Sequence, residues 1–261
     1  MNAADVPGVW VPDWPAPAGV RALCTERDGG VSAPPWDRFN LGDHVGDDPA
    51  AVALNRARLA SFTRPARPVF LRQVHGTAVC RLDGATPDGT EADAAVAVGP
   101  GVACTIMVAD CLPVLFALAS GAGVAAAHAG WRGLAAGVLE RTVRELREVA
   151  GEPRGEVVAW LGPAIGPAAF EVGDEVRAAF TADDAGAAAH FRAAGRAGQW
   201  WADLPGLARR RLRLAGLTRV AGNDGSAAWC TVSQPSRFFS HRRDAARFGT
   251  TGRLAAAVWL G

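Results

Sequence analysis

Val102-Ala103-Cys104-Thr105-Ile106-Met107-Val108-Ala109-Asp110-Cys111-Leu112-Pro113-Val114-Leu115-Phe116-Ala117-Leu118 contains two apolar runs around a short polar break. Strands open to water on one face alternate apolar with polar residues; unbroken runs of this length suit strands covered on both faces. A third run, 123–127, leads into Ala127-His128-Ala129-Gly130-Trp131-Arg132-Gly133. We read Val102–Val108, Leu112–Leu118 and 124–127 as a meander that brings Cys111 and His128 to one sheet edge. The helix expected next, 132–150, carries Leu139, Val143, Leu146 and Val149 at helical spacing, and Gly151 and Pro153 stop it.

Outward from this centre the chain alternates short strands, helices and loops without a clean strand–helix rhythm. Upstream, Val9-Trp10-Val11 reads as an edge strand or extended arm and Val20–Thr25 as a strand. Residues 26–46 read as a long loop, and a helix begins at Asp48-Pro49 and runs to about Ser61. Strands are expected at 69–71, 78–82 and 93–98. Downstream, we expect strands at Val157–Leu161, 229–232 and Leu254–Leu260, helices at 174–180 and 204–215, and a mobile Ala/Gly/Asp-rich segment at 181–198. No repeat or composition break divides the chain. The expectation is a mixed-sheet α/β (α+β) fold forming one domain over residues 1–261.

Composition excludes several function classes. The formal net charge of +1 gives no electrostatic case for nucleic acid or an anionic membrane. All 27 basic residues are Arg and there is no Tyr, so Schiff-base lysine, P-loop lysine and tyrosine acid–base chemistry are unavailable. The N-terminal residues lack a signal-peptide pattern, and no apolar run is long enough for a membrane span. Five scattered cysteines do not form a disulfide framework, so a reducing cytoplasm is the expected compartment.

Three residues carry the chemistry. Cys111 follows one apolar run, His128 ends another, and His75 sits in Gln73-Val74-His75-Gly76. Cys with His suits a catalytic zinc site, which typically has three protein ligands and one open position. Each residue taken singly also fits an ordinary core or loop role, with Cys111 a buried hydrophobe and the histidines hydrogen-bonded. Cys24, Cys80, Cys104 and Cys230 lie in or near apolar strands and read as core. Gly130-Trp131-Arg132-Gly133 at the helix opening could seat an anion such as phosphate, or be a plain helix entry with a surface Arg. Ser240-His241-Arg242-Arg243-Asp244 with Thr251-Gly252-Arg253 brings several Arg close together, an anion-binding candidate or a solvated charged loop. Glu171 orders an Arg or opens a helix.

The stretches Gly29-Gly30-Val31-Ser32, Asn40-Leu41-Gly42, Val45-Gly46-Asp47-Asp48, Gln73-Val74-His75-Gly76, Ala109-Asp110-Cys111-Leu112-Pro113-Val114, Ala127 to Gly133, Leu161-Gly162-Pro163-Ala164-Ile165-Gly166 and Phe239-Ser240-His241-Arg242-Arg243-Asp244 together resemble the YfiH-type laccase-domain family. Its members are described as purine nucleoside phosphorylases and were formerly called polyphenol oxidases. The resemblance runs from about Ala22 to Leu260 in the family's order. It implies a sandwich of mixed sheets flanked by helices. It also implies a catalytic zinc on His75, Cys111 and His128, and activity on adenosine, guanosine, inosine and methylthioadenosine with adenosine deamination. With that implied activity, Asn40, Arg56, Gln73, Gly130, Arg132 and Arg242 are expected to contact the nucleoside or phosphate. Trp36 and His241 stand where the family usually has Tyr, and 245–250 is longer than the usual link to Thr251-Gly252-Arg253.

Two rival enzymes remain at this point. A copper polyphenol oxidase is possible at a Cys-His-His site, although a four-copper laccase needs about ten histidines and this chain has five. A cysteine hydrolase would use Cys111 as nucleophile and His128 or His75 as base. A structural zinc site in a binding module is a weaker fourth reading, because structural sites are usually closed by four ligands.

Overall fold

The two apolar runs of the central stretch are strands, but they belong to different sheets. The computed structural model describes residues 7–261, so the N-terminal stretch read for a signal peptide lies largely outside the described residues. The first half of the chain forms β1 (Val9–Trp10), β2 (Val20–Thr25), α1 (Pro49–Thr63), β3 (Arg67–Phe70), β4 (Val79–Arg81), β5 (Ala94–Ala97), β6 (Val102–Val108), β7 (Leu112–Leu118) and β8 (Val124–Ala129). The second half forms α2 (Trp131–Ala135), α3 (Val138–Val149), β9 (Val157–Leu161), β10 (Glu171–Gly173), α4 (Asp174–Thr181), β11 (Phe191–Ala193), β12 (Gln199–Ala202), α5 (Leu204–Leu214), β13 (Arg219–Gly222), α6 (His241–Phe248) and β14 (Leu254–Leu260).

One mixed sheet has the order β1-β2-β14-β6-β3 and the other β13-β9-β7-β8-β5-β4. They pack face to face. Cys104, Ile106 and Val108 of β6 meet Leu115 and Ala117 of β7, Ala126 of β8 and Trp160 of β9 in the shared core. The opposite face of β7, with Leu112, Val114, Phe116 and Leu118, packs on Leu139, Val143 and Leu146 of α3 and on Leu207 and Leu212 of α5. Ala103 and Met107 of β6 look the other way, onto Leu59 of α1 and onto Phe39 and Leu41 from the long loop. The order is helix, sheet, sheet, helix, and every residue of β6 and β7 is buried. A one-residue slip would exchange the two faces of either strand, so packing specifies the register strongly.

The expected meander therefore needs correcting. Only β7 and β8 pair as a hairpin, with Leu112 opposite Ala129 and Pro113 opposite His128. The turn between β6 and β7 crosses from one sheet to the other through Asp110, at φ 86°. Continuous burial hides the crossing from the sequence, because alternation is what would reveal which sheet a strand joins.

The single helix expected over 132–150 is two helices. Gly137 at φ 93° lies between α2 and α3, a left-handed conformation that suits Gly and interrupts the helical run. The periodic residues Leu139, Val143, Leu146 and Val149 all belong to α3. The segment expected to be mobile holds a 3-10 turn at Ala185–His190, and its end forms β11, which joins β12 and β10 in a small sheet. Ala187 and Phe191 bury there against the main core, a tertiary contact that a weak local pattern does not announce. Residues 229–232 are not a strand: a 3-10 turn, Ala227–Trp229, ends at Cys230, which makes one isolated bridge to Ala164. The charged run at 240–244 opens α6, capped by Ser240 Oγ, which accepts from the Arg243 N–H at 3.1 Å. The helix start at Asp48 stands as expected, its carboxylate accepting from the Ala50 N–H at 2.9 Å.

Candidate metal centre and cleft

The β7–β8 pairing places the residue before β7 beside the end of β8, which brings Cys111 next to His128. His75 arrives from the loop between β3 and β4. Its ring packs edge-on against His128 with centroids 4.8 Å apart, and its Nε2 stands 3.7 Å from Cys111 Sγ. One donor atom from each of the three residues lies within 4.8 Å of the others. His75 is exposed, Cys111 half-buried and His128 buried, so the cluster has a deep side and an open side.

Two glycines of the Ala127–Gly133 stretch make this approach possible. A Cβ on Gly130 would stand 2.6 Å from His75 Cδ2 and 3.1 Å from Cys111 Sγ, and one on Gly133 would stand 2.6 Å from the Gly76 carbonyl oxygen. Real Cβ contacts do not come that close, so Gly is required at both positions if the His75 loop is to reach the cluster.

Beneath the loop lies Asp93, fully buried and adjacent to β5. Its Oδ1 accepts from His128 Nδ1–H at 2.8 Å and from the His75 N–H at 2.9 Å. Its Oδ2 accepts from the Gly76 N–H at 2.6 Å and the Val74 N–H at 3.2 Å. Burial pushes this carboxyl up, but the His128 and backbone hydrogen bonds outweigh it and hold the group below the ordinary carboxylate value. His75 has φ 62°. A left-handed non-glycine residue costs about 1–3 kcal/mol. Hydrogen bonds to a charged acceptor contribute about 1.5–3 kcal/mol each, so the three backbone donors outweigh the strain.

Asp110 anchors the Cys111 side. Its carboxylate accepts from Thr231 Oγ1–H at 2.5 Å and from the Arg242 N–H at 2.6 Å, and its carbonyl accepts from the Ile165 N–H at 2.9 Å. One turn thereby ties β7, the 162–167 loop and the start of α6 together. Burial raises the Cys111 thiol, but charge and hydrogen bonds from His128, joined by His75, reverse this and bring it down to about 6. A thiolate facing two imidazoles is a soft donor set suited to zinc or copper. A tetrahedral zinc separates a thiolate and an imidazole nitrogen by about 3.6 Å, close to the Cys111–His75 spacing. The residues present fit such an ion.

The cluster lies in a cleft of about 740 Å³. Arg56, Gln73 and Arg242, expected at the substrate, line it, as do His44, His241 and Arg253. Arg56 stacks over Phe70 at 4.2 Å and donates from Nε to the Leu41 carbonyl at 2.9 Å. Arg242 bonds the Glu171 carbonyl at 3.1 Å, so Glu171 orders an Arg through its backbone. Gln73 clamps β6: its Nε2 donates to the Met107 carbonyl and its Oε1 accepts from the Met107 N–H, both at 2.8 Å. Asn40 is buried outside the cleft lining. It accepts from the Gly42 N–H at 2.9 Å and the Arg253 N–H at 2.8 Å, and donates to Asp47 at 2.8 Å. Gly130 packs behind the cluster. Arg132 is not among the residues lining the cleft; its guanidinium lies over the ring of Trp131, which does line it, at 4.4 Å.

Sequence reasoning missed Asp93 and Asp110 as site residues. Asp93 left one signal: a lone carboxylate between alanines at the start of a buried strand. Arg253 is brought to the cleft by β14. Burial lowers its pKa, opposed by the nearby Cys111 and Asp110.

The family model described as "Multi-copper polyphenol oxidoreductase laccase" matches residues 21–261. A Pseudomonas aeruginosa protein named purine nucleoside phosphorylase is 53% identical over 249 residues, which covers 95% of this chain and 97% of that one. Escherichia coli purine nucleoside phosphorylase YfiH is 51% identical over 251 residues, covering 96% and 98%. The crystal structure of a Neisseria meningitidis protein superposes with a TM-score of 0.86 at 44% identity, covering 97% of this chain and 99% of that one. Among the described residues no helix is long and apolar enough to cross a membrane.

Proposed function

The chain belongs to the laccase-domain family of that model, which its relatives named purine nucleoside phosphorylase resemble across nearly their whole length, and from this membership we propose that it is a zinc-dependent purine nucleoside phosphorylase. The reaction would be carried by one domain over residues 1–261, working in the cytoplasm on adenosine, guanosine, inosine and methylthioadenosine. The observation that carries the reading is the convergence of His75, Cys111 and His128 within 4.8 Å inside a cleft lined by several Arg side chains.

His75, Cys111 and His128 would hold the metal, with His128 ligating through Nε2 because Nδ1 donates to Asp93. When bound, zinc supplies Lewis acidity at an open position beside the substrate. Arg253 would take the phosphate. It donates from Nη1 to the Thr251 and Gly252 carbonyls at 3.0 and 3.2 Å, which orients the rest of its guanidinium fork towards the cleft. Arg56 and His44 would add cationic or donor groups on the same wall, replacing the seat expected at Arg132. Asn40 acts through Arg253, whose backbone N–H it accepts. Trp131, Phe170 and Ile165 offer an apolar wall for the purine. In phosphorolysis a phosphate oxygen forms a bond to the ribose anomeric carbon while the carbon–nitrogen bond breaks. The base leaves with the bonding electrons and takes up a proton. Arg253 and Arg242 hold the reactants in line and offset charge on the phosphate.

Adenosine deamination would use the same cleft, with water in place of phosphate. A copper oxidase is disfavoured as a four-copper enzyme, because only His75 and His128 of the five histidines join the cluster. A cysteine hydrolase needs one base beside Cys111, whereas here two imidazoles converge on the sulfur.

The test is Cys111→Ala, assayed for hypoxanthine release from inosine with phosphate present and for bound zinc. Both are expected to fall to background. Undiminished turnover with unchanged zinc would overturn the proposal.

A further inference from the structure

We propose that Asp93 is a positioning residue that couples two of the three metal donors. Its one carboxylate selects the ligating tautomer of His128 and holds the loop that delivers His75. The inference rests on reading His75, Cys111 and His128 as a metal centre.

Asp93 does not line the cleft, so it is not placed to touch substrate. Both its oxygens are already engaged, each by two donors, and all four donors come from His128 or from the Val74–Gly76 loop. Its backbone also reaches His128, whose N–H donates to the Asp93 carbonyl at 2.7 Å, while the Asp93 N–H donates to the carbonyl of Ala78, two residues beyond the loop, at 3.0 Å. A carboxylate only accepts, so His128 must carry its proton on Nδ1, and its Nε2 lone pair is left for the cluster. The His75 loop is held in a left-handed conformation by the same two oxygens. Without them the loop would relax, and His75, the most exposed of the three donors, would leave the cluster. A residue that merely clamped a loop would have no reason to bond the His128 ring. One that merely oriented the ring would not gather three successive backbone N–H groups. Asp93 does both, so the geometry of two donors depends on a single buried carboxylate, and the third, Cys111, is set separately through Asp110.

The test is Asp93→Asn. Whichever way the amide turns, an NH2 group then faces N–H donors. Zinc affinity is measured by competition with a chromophoric chelator, and the cobalt-substituted protein is examined for its thiolate-to-metal absorption band. Melting of the metal-free protein is followed in parallel. Zinc affinity is expected to fall about 10–100-fold, with an altered cobalt band, while the metal-free protein still melts cooperatively. Unchanged affinity and an unchanged band in the folded variant would overturn the role of Asp93 and leave the metal centre standing. A wild-type protein that binds neither zinc nor cobalt would overturn both. Should Asp93→Asn fail to fold, nitrogen-15 NMR of the zinc-loaded wild type decides. Protonated Nδ1 on His128 supports the role, and protonated Nε2 overturns it.

Discussion

Gly133 and Gly76 meet backbone to backbone: a Cβ on Gly133 would stand 2.6 Å from the Gly76 carbonyl oxygen. That oxygen belongs to the loop that carries His75, so α2 and the loop approach as closely as they do because Gly133 carries no side chain. Gly133→Ala must displace the loop or the helix. We expect a stability loss of about 1–3 kcal/mol together with reduced zinc occupancy, read by thermal denaturation and metal analysis. Retained stability with full occupancy would show that the contact does not constrain the site.

The Cys111 thiol is brought down to about 6 when His128 and His75 overcome the effect of burial. In metal-free protein at low iodoacetamide concentration, alkylation of Cys111 should be half-maximal near that pH and flat from neutrality upward. An unperturbed thiol keeps gaining reactivity to about pH 8.5 and beyond. Buried Cys24 and Cys104, both pushed up by burial, should stay unmodified. Mass spectrometry of peptides after timed labelling reads all three. An ordinary thiol profile at Cys111 would contradict the imidazole contacts.

Arg132 and Arg253 distinguish a phosphate seat at the α2 opening from one in the cleft. Arg253→Gln should raise the phosphate KM and lower kcat/KM by about 10–100-fold, the loss of one or two charge-assisted hydrogen bonds. Arg132→Ala should change either constant by no more than about twofold, as a surface substitution does. Steady-state kinetics with phosphate as the varied substrate checks both, and the reverse ranking would return the seat to the α2 opening.

Asp244 is buried beside Arg243, which donates to both carboxylate oxygens at 2.7 and 2.9 Å, and Thr251 Oγ1–H donates at 2.9 Å. Burial pushes the carboxyl up, but these bonds prevail and hold it below its ordinary value. A folded value below the unfolded one means stability that is present above the ordinary carboxylate range and lost as pH falls through the folded value. Asp244→Asn should lower stability at pH 7 by about 3 kcal/mol and flatten the decline of stability below about pH 4. Urea titrations from pH 2 to 7 test it; parallel pH dependences in the two proteins would refute it.

Much of the fold was legible because burial leaves a strong signal. β9 and β14 are unbroken apolar runs, β6 is interrupted only by Thr105, and α1 announces itself through Asp48 and Pro49. β10 and β13 escaped notice because they are short and partly exposed, so neither period nor composition marks them. α6 is almost wholly polar outward, with Asp244 its one buried residue, and reads as a charged loop until Ser240 is seen to cap it. The break at Gly137 was invisible because an isolated Gly is tolerated within a helical pattern and only its backbone dihedral reveals the interruption.

At the site, the residue types of His75, Cys111 and His128 were enough to nominate them, since thiol and imidazole at strand ends have few other uses in common. What the residues touch was a different matter. Asn40 and Gln73 were expected at the substrate, yet the hydrogen-bonding groups of both amides meet protein partners. Asp93 and Arg253 reach the centre from strands paired far away in sequence. Local chemistry and periodicity are written along the chain, so the sequence by itself determined the three candidate donors and the long buried strands. The crossing between sheets at Asp110, the partners of each arginine and the carboxylate beneath His75 and His128 depend on which surfaces meet when two sheets close on one core. Only the tertiary structure decided those, because no single segment contains both sides of the contact.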